Sequence, residues 1–355
     1  MFFGSSRNLV GLDIGDSSIK VVEVKDLGKG RGYELAKLGW EPLSSEAIVD
    51  GQIMDSQLVI ETIQRLFQRC RIKTTQIATA VSGHSVIVKR ISLPFMSDAE
   101  LAESIQWEAE QYIPFDIEDV NLDYQILEGS SLSGEGNMDV LLAAAKKDKI
   151  NDYTSVIHQA GLTPSTVDVA AFAMQNAFEI NYEFEPHQVI ALVDMGAAVT
   201  SISVLHGGTS VYWRDINIGG NHFTDAIQKE LNLSGEQAEQ LKRGEEVEGV
   251  LYERALPILT AVNEDVGAEV QKTIDFFKQI SAADEPLDRL YLTGGGSQVS
   301  HMKETLGERL NTQAEMLNPF RKIPPASKEA GADLADEMMP TASVAVGLAL
   351  RKVGD

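Results

Sequence analysis

The chain has 355 residues, enough for two or three domains with substantial cores. Apolar residues make up 43% and charged residues 23%, which excludes whole-chain disorder. With 53 acidic against 30 Lys and Arg side chains the formal charge is −23, a surface that repels phosphate backbones and anionic lipid heads, so no nucleic-acid partner is expected.

Leu9–Ile14 and Ile19–Val24 read as two strands joined by a Gly/Asp/Ser turn, and Tyr33–Trp40 as a third. Ser56–Cys70 places Leu58, Val59, Ile63, Leu66 and Phe67 at helical spacing. Ile77–Val81 is strand-like, and Ser97–Gln111 is a helix opened by a Ser97/Glu100 capping box. Asn121–Leu127 and Met138–Ala145 read as a strand pair around the loop Gly129–Asn137, and Asp148–Ala160 as a helix stopped by Gly161. Thr166–Val169 is a short strand and Ala170–Ile180 a helix. Val189–Val193, Thr200–Leu205 and Thr209–Ile216 form a meander. Thr224–Leu231, Gly235–Arg243 and Glu253–Ile280 are helical, the last too long for one ordinary helix unless bent or broken. Leu290–Thr293 is a strand ending in three glycines, with a helix expected from near Gln298. Pro319–Pro340 reads as a loop and Thr341–Arg351 as a final Ala-rich helix.

No apolar stretch approaches the about 18 residues of a membrane span. The opening MFFGSSR lacks the basic and apolar regions of a signal peptide. The lone Cys70 excludes an intrachain disulfide. These features predict a cytoplasmic protein with no direct membrane insertion, any membrane attachment coming through a partner.

A long-range repeat carries the most information. Gly11-Leu12-Asp13-Ile14-Gly15 recurs as Leu192-Val193-Asp194-Met195-Gly196, each the end of an apolar strand followed by small residues and a returning strand. Such a turn lets backbone N–H groups approach phosphate oxygens. The Asp cannot bind phosphate itself but can hold Mg²⁺ or its waters. The alternative is two ordinary turns in which Asp caps local amides, and the repeat alone leaves both open. Gly294-Gly295-Gly296, an unobstructed surface for a flat ring or a phosphate, favours the nucleotide reading.

These segments, in order, resemble the five motifs of the actin-like ATPase superfamily. Leu12–Lys20 is similar to its first phosphate loop, Val169–Phe178 to the first connecting helix and Val193–Thr200 to the second phosphate loop. Leu292–Ser297 resembles the adenosine motif and Pro340–Leu350, with Ala345 and Gly347, the second connecting helix. Within the superfamily the chain resembles the PilM family of type IV pilus assembly over nearly its whole length. The specific segments are Leu93-Pro94-Phe95-Met96, Ile105–Phe115, Asn121–Tyr124, Asp168-Val169, Asn318-Pro319-Phe320 and Val344–Arg351. It departs from relatives in carrying Asp16 where many have Thr or Ser, and Ala197-Ala198 where FtsA-like chains are Gly-rich.

The resemblance implies an α/β, actin-like fold of two lobes built from duplicated sheet-and-helix subdomains, with an FtsA-type inserted subdomain. The expected parts are a first lobe core (1–84, 166–190 and 321–355), the insertion (85–165), a second lobe core (191–222 and 286–320) and a small helical subdomain (223–285). It implies ATP and Mg²⁺ as ligands, held by Asp13, Gly15, Ser17, Ser18, Lys20, Asp194, Gly196, Thr200, Gly294, Gly295 and Gly296, with Asp13 and Asp194 on the metal. Glu239 and Lys242 match the helix that offers an acid and a base to ribose and adenine in FtsA and MreB. No residue declares itself as a hydrolytic base, and Glu110, Glu179 and Gln175 cannot be ranked, so slow or absent hydrolysis is expected.

The implied partner is the N-terminal tail of a PilN-type inner-membrane protein, with PilO and the pilus motor and platform proteins indirectly, in pilus biogenesis and twitching motility. Trp107, Tyr112 and Phe115 beside Ile105 and Ile113 form either core or a peptide groove, for which Ile113, Pro114 and Phe115 are the candidates. Lys146-Lys147-Asp148-Lys149 reads as a solvated helix start. The six His are scattered without zinc-site spacing, and there is no G-x-S-x-G elbow. The competing readings are an actin-fold sugar or acetate kinase, an FtsA-like division protein and the actin-like part of a type II secretion protein. The last two expect an amphipathic or transmembrane segment that Arg351–Asp355 does not offer.

Overall fold

Each half of the chain builds a five-stranded sheet with the same strand order in this computed structural model, which describes residues 9–127, 136–247, 249–281, 286–326 and 332–354. The elements of the first half are β1 (Val10–Ile14), β2 (Ser18–Asp26), β3 (Tyr33–Pro42), the short hairpin β4 (Ile48–Val49) and β5 (Gln52–Ile53), α1 (Ser56–Cys70), β6 (Gln76–Val81), β7 (Val86–Pro94), α2 (Asp98–Ala109), β8 (Val120–Leu127), β9 (Asn137–Lys146), α3 (Lys147–Gln159), β10 (Thr163–Val169) and α4 (Ala170–Asn181). The second half holds β11 (Val189–Met195), β12 (Thr200–His206), β13 (Thr209–Ile216), α5 (Gly220–Leu231), α6 (Gly235–Lys242), α7 (Leu256–Ser281), β14 (Arg289–Thr293), α8 (Met302–Arg309), β15 (Gln313–Met316), α9 (Ala332–Met338) and α10 (Ser343–Ala349).

The first sheet runs β10-β6-β1-β2-β3 and the second β15-β14-β11-β12-β13. In both, an antiparallel meander sits beside parallel strands, so the central β1 and β11 are buried on both faces and read as continuous apolar runs. The sequence repeat is therefore a structural one. A third sheet, β7-β9-β8, with α2 on it, has its own core around Ile91, Leu101, Ile105, Val140 and Leu142. Of the expected insertion 85–165, this sheet takes up β7 to β9. The helix α3 instead puts Tyr153, Val156 and Ile157 into the core under the first sheet, beside Ile63 and Leu66 of α1.

Local chemistry sets the helix ends. Asp55 caps α1 by accepting the Leu58 N–H, and Arg71 closes it in the left-handed conformation. The Ser97/Glu100 capping box opens α2 as expected. The span expected to be bent or broken begins with a 3₁₀ turn at Tyr252–Arg254 and continues as the single 26-residue α7. Five elements depart from the sequence reading. The short β4 and β5, together with β7 and β15, are strands where none was predicted, and α9 lies inside the expected loop Pro319–Pro340. The loop residues 128–135 and the opening MFFGSSR lie outside the described residues.

Helices α4 and α10 cross between the two large sheets. Ala173, Met174, Phe178, Val344 and Leu348 share one cluster with Ala78 and Ala80 of the first sheet and Ile190 and Leu192 of the second. Small residues allow this. A Cβ at Gly11 would lie 2.1 Å from the Ala345 carbonyl oxygen, so α10 rests directly on the β1 backbone.

Candidate functional site

The two Asp-x-Gly turns have the same backbone. Gly15 N–H donates to Ser18 O at 3.1 Å and Gly196 N–H to Val199 O at 2.9 Å. These two amides are spent inside their own turns, so Gly15 and Gly196 serve the site by giving room. Cross-strand register sets Asp13 opposite Lys20 and Asp194 opposite Ser201. Lys20 Nζ lies 3.1 Å from Asp13 Oδ2, and its charge also reaches Asp194. Burial, then the charge of Asp13, pushes the Asp194 carboxyl up to about 7 against the pull of Lys20. Two carboxylates and one ammonium thus converge from the two sheets.

The glycines complete the concavity. Gly294 has φ +86°, and a Cβ there would lie 2.4 Å from Asp194 Oδ1 and 2.3 Å from Met195 O. A Cβ on Gly296 would meet Met195 and the Gly196 carbonyl oxygen, while Gly295 has open space around it. A 3₁₀ turn at Gly295–Gln298 and the bond from Gly294 N–H to Pro340 O hold this corner. On the facing side, Lys242 Nζ donates to Glu239 Oε2 at 2.5 Å, to Thr224 Oγ1 at 3.0 Å and to the Gly220 carbonyl at 3.2 Å. Burial would raise the Glu239 carboxyl, but Lys242, Thr224 and Arg243 leave it below its ordinary value. Burial lowers the Lys242 ammonium despite Glu239. A Cβ at Gly220 would be 3.6 Å from Lys242 Nζ and 3.8 Å from Gly296 Cα, so the acid–base pair and the triple glycine line one site.

Of the expected residues, Asp13, Lys20, Asp194, Gly196, Glu239, Lys242 and Gly294–Gly296 are brought together around this cleft. Thr200 is fully buried and its hydroxyl donates to Ile218 O, so it shapes the loop from behind. Ser18 is buried, whereas Ser17 is exposed at the tip of the first turn. Among the described residues no group of three or more His, Cys, Asp or Glu side chains could hold a metal. Asp13 and Asp194 fit a Mg²⁺ whose remaining ligands are phosphate and water, with Lys20 competing for Asp13.

Known proteins resemble the chain over most of its length. The family described as Type IV pilus assembly protein PilM matches residues 11–353. The chain belongs to the PilM family. A solved structure, a PilM-PilN type IV pilus biogenesis complex, is similar with a TM-score of 0.86 and 31% identity, covering 98% of this chain and 99% of that one. EutJ of Carboxydothermus hydrogenoformans (TM-score 0.57, 18% identity, 96% and 89% covered) and MreB5 of Spiroplasma citri bound to ADP (0.52, 13%, 94% and 98%) share the actin-like fold. FtsA of Bacillus subtilis is 24% identical over 261 residues, 66% of this chain and 57% of FtsA. Across the FtsA relatives the chain spans 42% to 61% of their length.

Several residues of this PilM-family site escaped the sequence reading. Gly219-Gly220 opens α5 against the second Asp-x-Gly turn, where Gly220 N–H donates to Gly196 O and Asn221 N–H to Ala197 O. A Cβ at Gly219 would sit 2.6 Å from Ala197 O, so the double glycine before an amphipathic helix was the available signal. Asp215 on β13 crosses from the second sheet to accept the Gly83 N–H at 2.7 Å, and burial raises its carboxyl. Nothing in the β13 pattern marks it. Gln175 donates to Glu179 on an exposed part of α4, and Glu110 caps the end of α2.

A second concavity, of about 430 Å³, opens where the third sheet meets α3. Phe115, Asp116 and Asp119 line one wall and Lys146, Lys147, Asp148 and Asn151 the other, with Lys146 Nζ 4.4 Å from the Phe115 ring centroid. Phe115 is thus placed on a pocket and Pro114 is exposed, but Ile113 is buried in the core of the third sheet. Trp107, grouped with that cluster by sequence, is 73% exposed on α2. Nor is Lys149 solvated with its neighbours, because its ammonium turns inward to Tyr153 and Gly51. No helix among the described residues is long and apolar enough to cross a membrane.

Proposed function

We propose that this chain is a nucleotide-binding docking protein of the type IV pilus inner-membrane complex. ATP with Mg²⁺ occupies the cleft between the two large sheets, with Asp13 and Asp194 on the metal side, the Gly294–Gly296 corner against the adenosine, and Glu239 and Lys242 at the ribose and base. The ion supplies the positive charge that lets phosphates sit beside carboxylates. Lys20 offsets the same charge from the protein side. The sequence assigns no hydrolytic base, and in the cleft Asp13 is paired with Lys20 and Glu239 with Lys242. ATP then acts chiefly as a structural ligand, with turnover below the usual enzyme range of about 1–1000 s⁻¹.

The partner is the N-terminal cytoplasmic tail of a PilN-type membrane protein, which holds this protein at the inner membrane and passes its nucleotide state to pilus biogenesis and twitching motility, reaching PilO and the motor and platform proteins indirectly. The observation that carries this reading is the similarity, over 98% of the chain, to a structure solved as a PilM-PilN complex. The Phe115 pocket supports it as a docking place for an extended peptide. Fluorescence anisotropy with a labelled tail peptide from the PilN-type protein of the same cell tests it. Saturable binding that Phe115→Ala weakens is expected. Absence of binding to the intact chain, with and without ATP and Mg²⁺, sinks the docking model.

A further inference from the structure

The third sheet is tied to both large sheets. The chain enters it from the end of β6 in the first sheet, through residues 82–85, and β7 begins at Val86. β7 is an edge strand of the third sheet and β13 an edge strand of the second, and the two edges lie against each other.

A hydrogen bond joins them at the root of β7. The Gly83 N–H donates to Asp215 Oδ2 at 2.7 Å, across 132 positions of sequence. Gly83 has φ +81°, and its carbonyl oxygen accepts the Val86 N–H at 2.9 Å, so the residue that meets the second sheet also turns the chain into β7. A Cβ at Gly83 would lie 3.8 Å from a methyl carbon of Val199. Val199 belongs to the second Asp-x-Gly turn, and its carbonyl oxygen accepts the Gly196 N–H that closes it. Strand register extends the line. Asp215 of β13 lies opposite Ser201 of β12, which lies opposite Asp194 of β11. One cross-strand row thus runs from the carboxylate assigned to the metal side to the residue that holds the start of the third sheet.

The two joints between the large sheets differ in kind. The α4–α10 crossing is buried and close-packed. Asp215 keeps solvent contact beside its bond to Gly83, so water can replace that bond without unfolding either sheet. A rotation of one large sheet about the crossing must either carry the third sheet with it or break this bond. The Phe115 pocket lies where such a movement is felt, because the third sheet forms one wall and α3, which is anchored in the core of the first sheet, forms the other.

We infer that the Gly83–Asp215 bond is a connector between the nucleotide cleft and the third sheet, through which a polyphosphate seated on the second Asp-x-Gly turn changes the affinity of the Phe115 pocket for a peptide. Asp215 is then a positioning residue that acts through Gly83. The inference rests on the proposed binding of ATP and of the PilN-type tail, and it names the contact that links the two.

The test is fluorescence anisotropy of the labelled tail peptide with the full chain, with and without saturating ATP and Mg²⁺, in wild type, Asp215→Ala and Asp215→Asn. Wild type should show a difference in peptide affinity of about fivefold or more between the two conditions, and the peptide should change ATP affinity by the same factor in calorimetric titration. Asp215→Ala should bind each ligand alone, with the factor reduced to less than about twofold. Asp215→Asn should keep the factor, because its amide oxygen accepts the same N–H. An unchanged factor in Asp215→Ala overturns the connector. So does a factor lost equally in Asp215→Asn, which would assign the effect to charge beside Asp194. If Asp215→Ala does not fold, hydrogen exchange of wild type decides: ATP and Mg²⁺ should alter exchange of the amides in residues 83–94, and unchanged exchange there overturns the inference. Wild type that binds both ligands with no factor between them overturns it too. Wild type that binds no ATP, or no peptide, overturns the proposed function instead, which separates that failure from this one.

Discussion

Gly347 of α10 and Ala173 of α4 are in backbone contact: a Cβ at residue 347 would lie 1.7 Å from the Ala173 carbonyl oxygen. The two connecting helices therefore cross without side chains between them at this point. The crossing lies in the cluster that joins both large sheets, so it also sets their relative position.

Gly347→Ala should accordingly cost more than an ordinary helical Gly→Ala change gains. Separating the helices to admit one methyl group is overpacking of a fully buried site, worth about 3 kcal/mol or more of stability. Urea unfolding checks this. A variant as stable as wild type would mean that α4 and α10 slide apart freely.

How much of this could be read in the sequence depends on whether the signal was local. The capping box of α2, the apolar stripe of α1 and the paired Asp-x-Gly turns are short-range patterns, and each appears where expected. β7 escaped because Lys89 and Arg90 interrupt its apolar pattern. Arg90 is neutralised by Asp139 of β9 at 2.6 Å, a partner 49 residues away that sequence cannot assign. β15 is a four-residue edge strand with one glutamate, too short for a periodic signal. In the site, the turns were legible because glycine marks close approach. Asp215 was not, because a charged residue looks the same in sequence whether it faces water or a cleft.

Arg351 reaches from the end of the last helix to Asp168, at 2.7 Å, where the Asp168 side chain is only 5% exposed. Removing Arg351 leaves that carboxylate buried without its cation. Arg351→Ala should lose about 2–4 kcal/mol at neutral pH. Burial already raises the Asp168 carboxyl despite Arg351, so the orphaned group protonates more readily still. The loss should shrink as pH falls toward 4. Equal losses at pH 4.5 and pH 8 would show that Arg351 acts through packing of its stem.

Asp194 gives a pH dependence of definite sign. Its folded-state pKa of about 7 lies above the ordinary 3.8, so between these values the native state binds more protons than the unfolded one. Stability in the absence of nucleotide should fall as pH rises through this window, with the loss complete above 7. The ceiling is about 4 kcal/mol, and partial solvent access to the cleft reduces it. Asp194→Asn should remove this part of the pH dependence and be more stable than wild type at pH 8. Parallel wild-type and variant stability profiles from pH 4.5 to 8 would contradict the assignment.

The triple glycine separates structure from binding within one motif. At Gly294, φ is +86° and a Cβ would press on Asp194 and the Met195 carbonyl, so Gly294→Ala should destabilise the fold. Gly295 has no positive φ and nothing within 4 Å of a Cβ. Gly295→Val should therefore leave stability within about 0.5 kcal/mol of wild type. The same open space is where the proposed adenosine passes, so the isopropyl group should lower ATP affinity tenfold or more, about 1.4 kcal/mol. Melting temperature and calorimetric titration on the two variants read these effects separately. A Gly295→Val protein that melts like wild type and binds ATP equally well would move the nucleotide away from this corner. One that loses ATP while keeping its melting temperature would fix the adenosine against Gly295, since no folding defect could account for the loss.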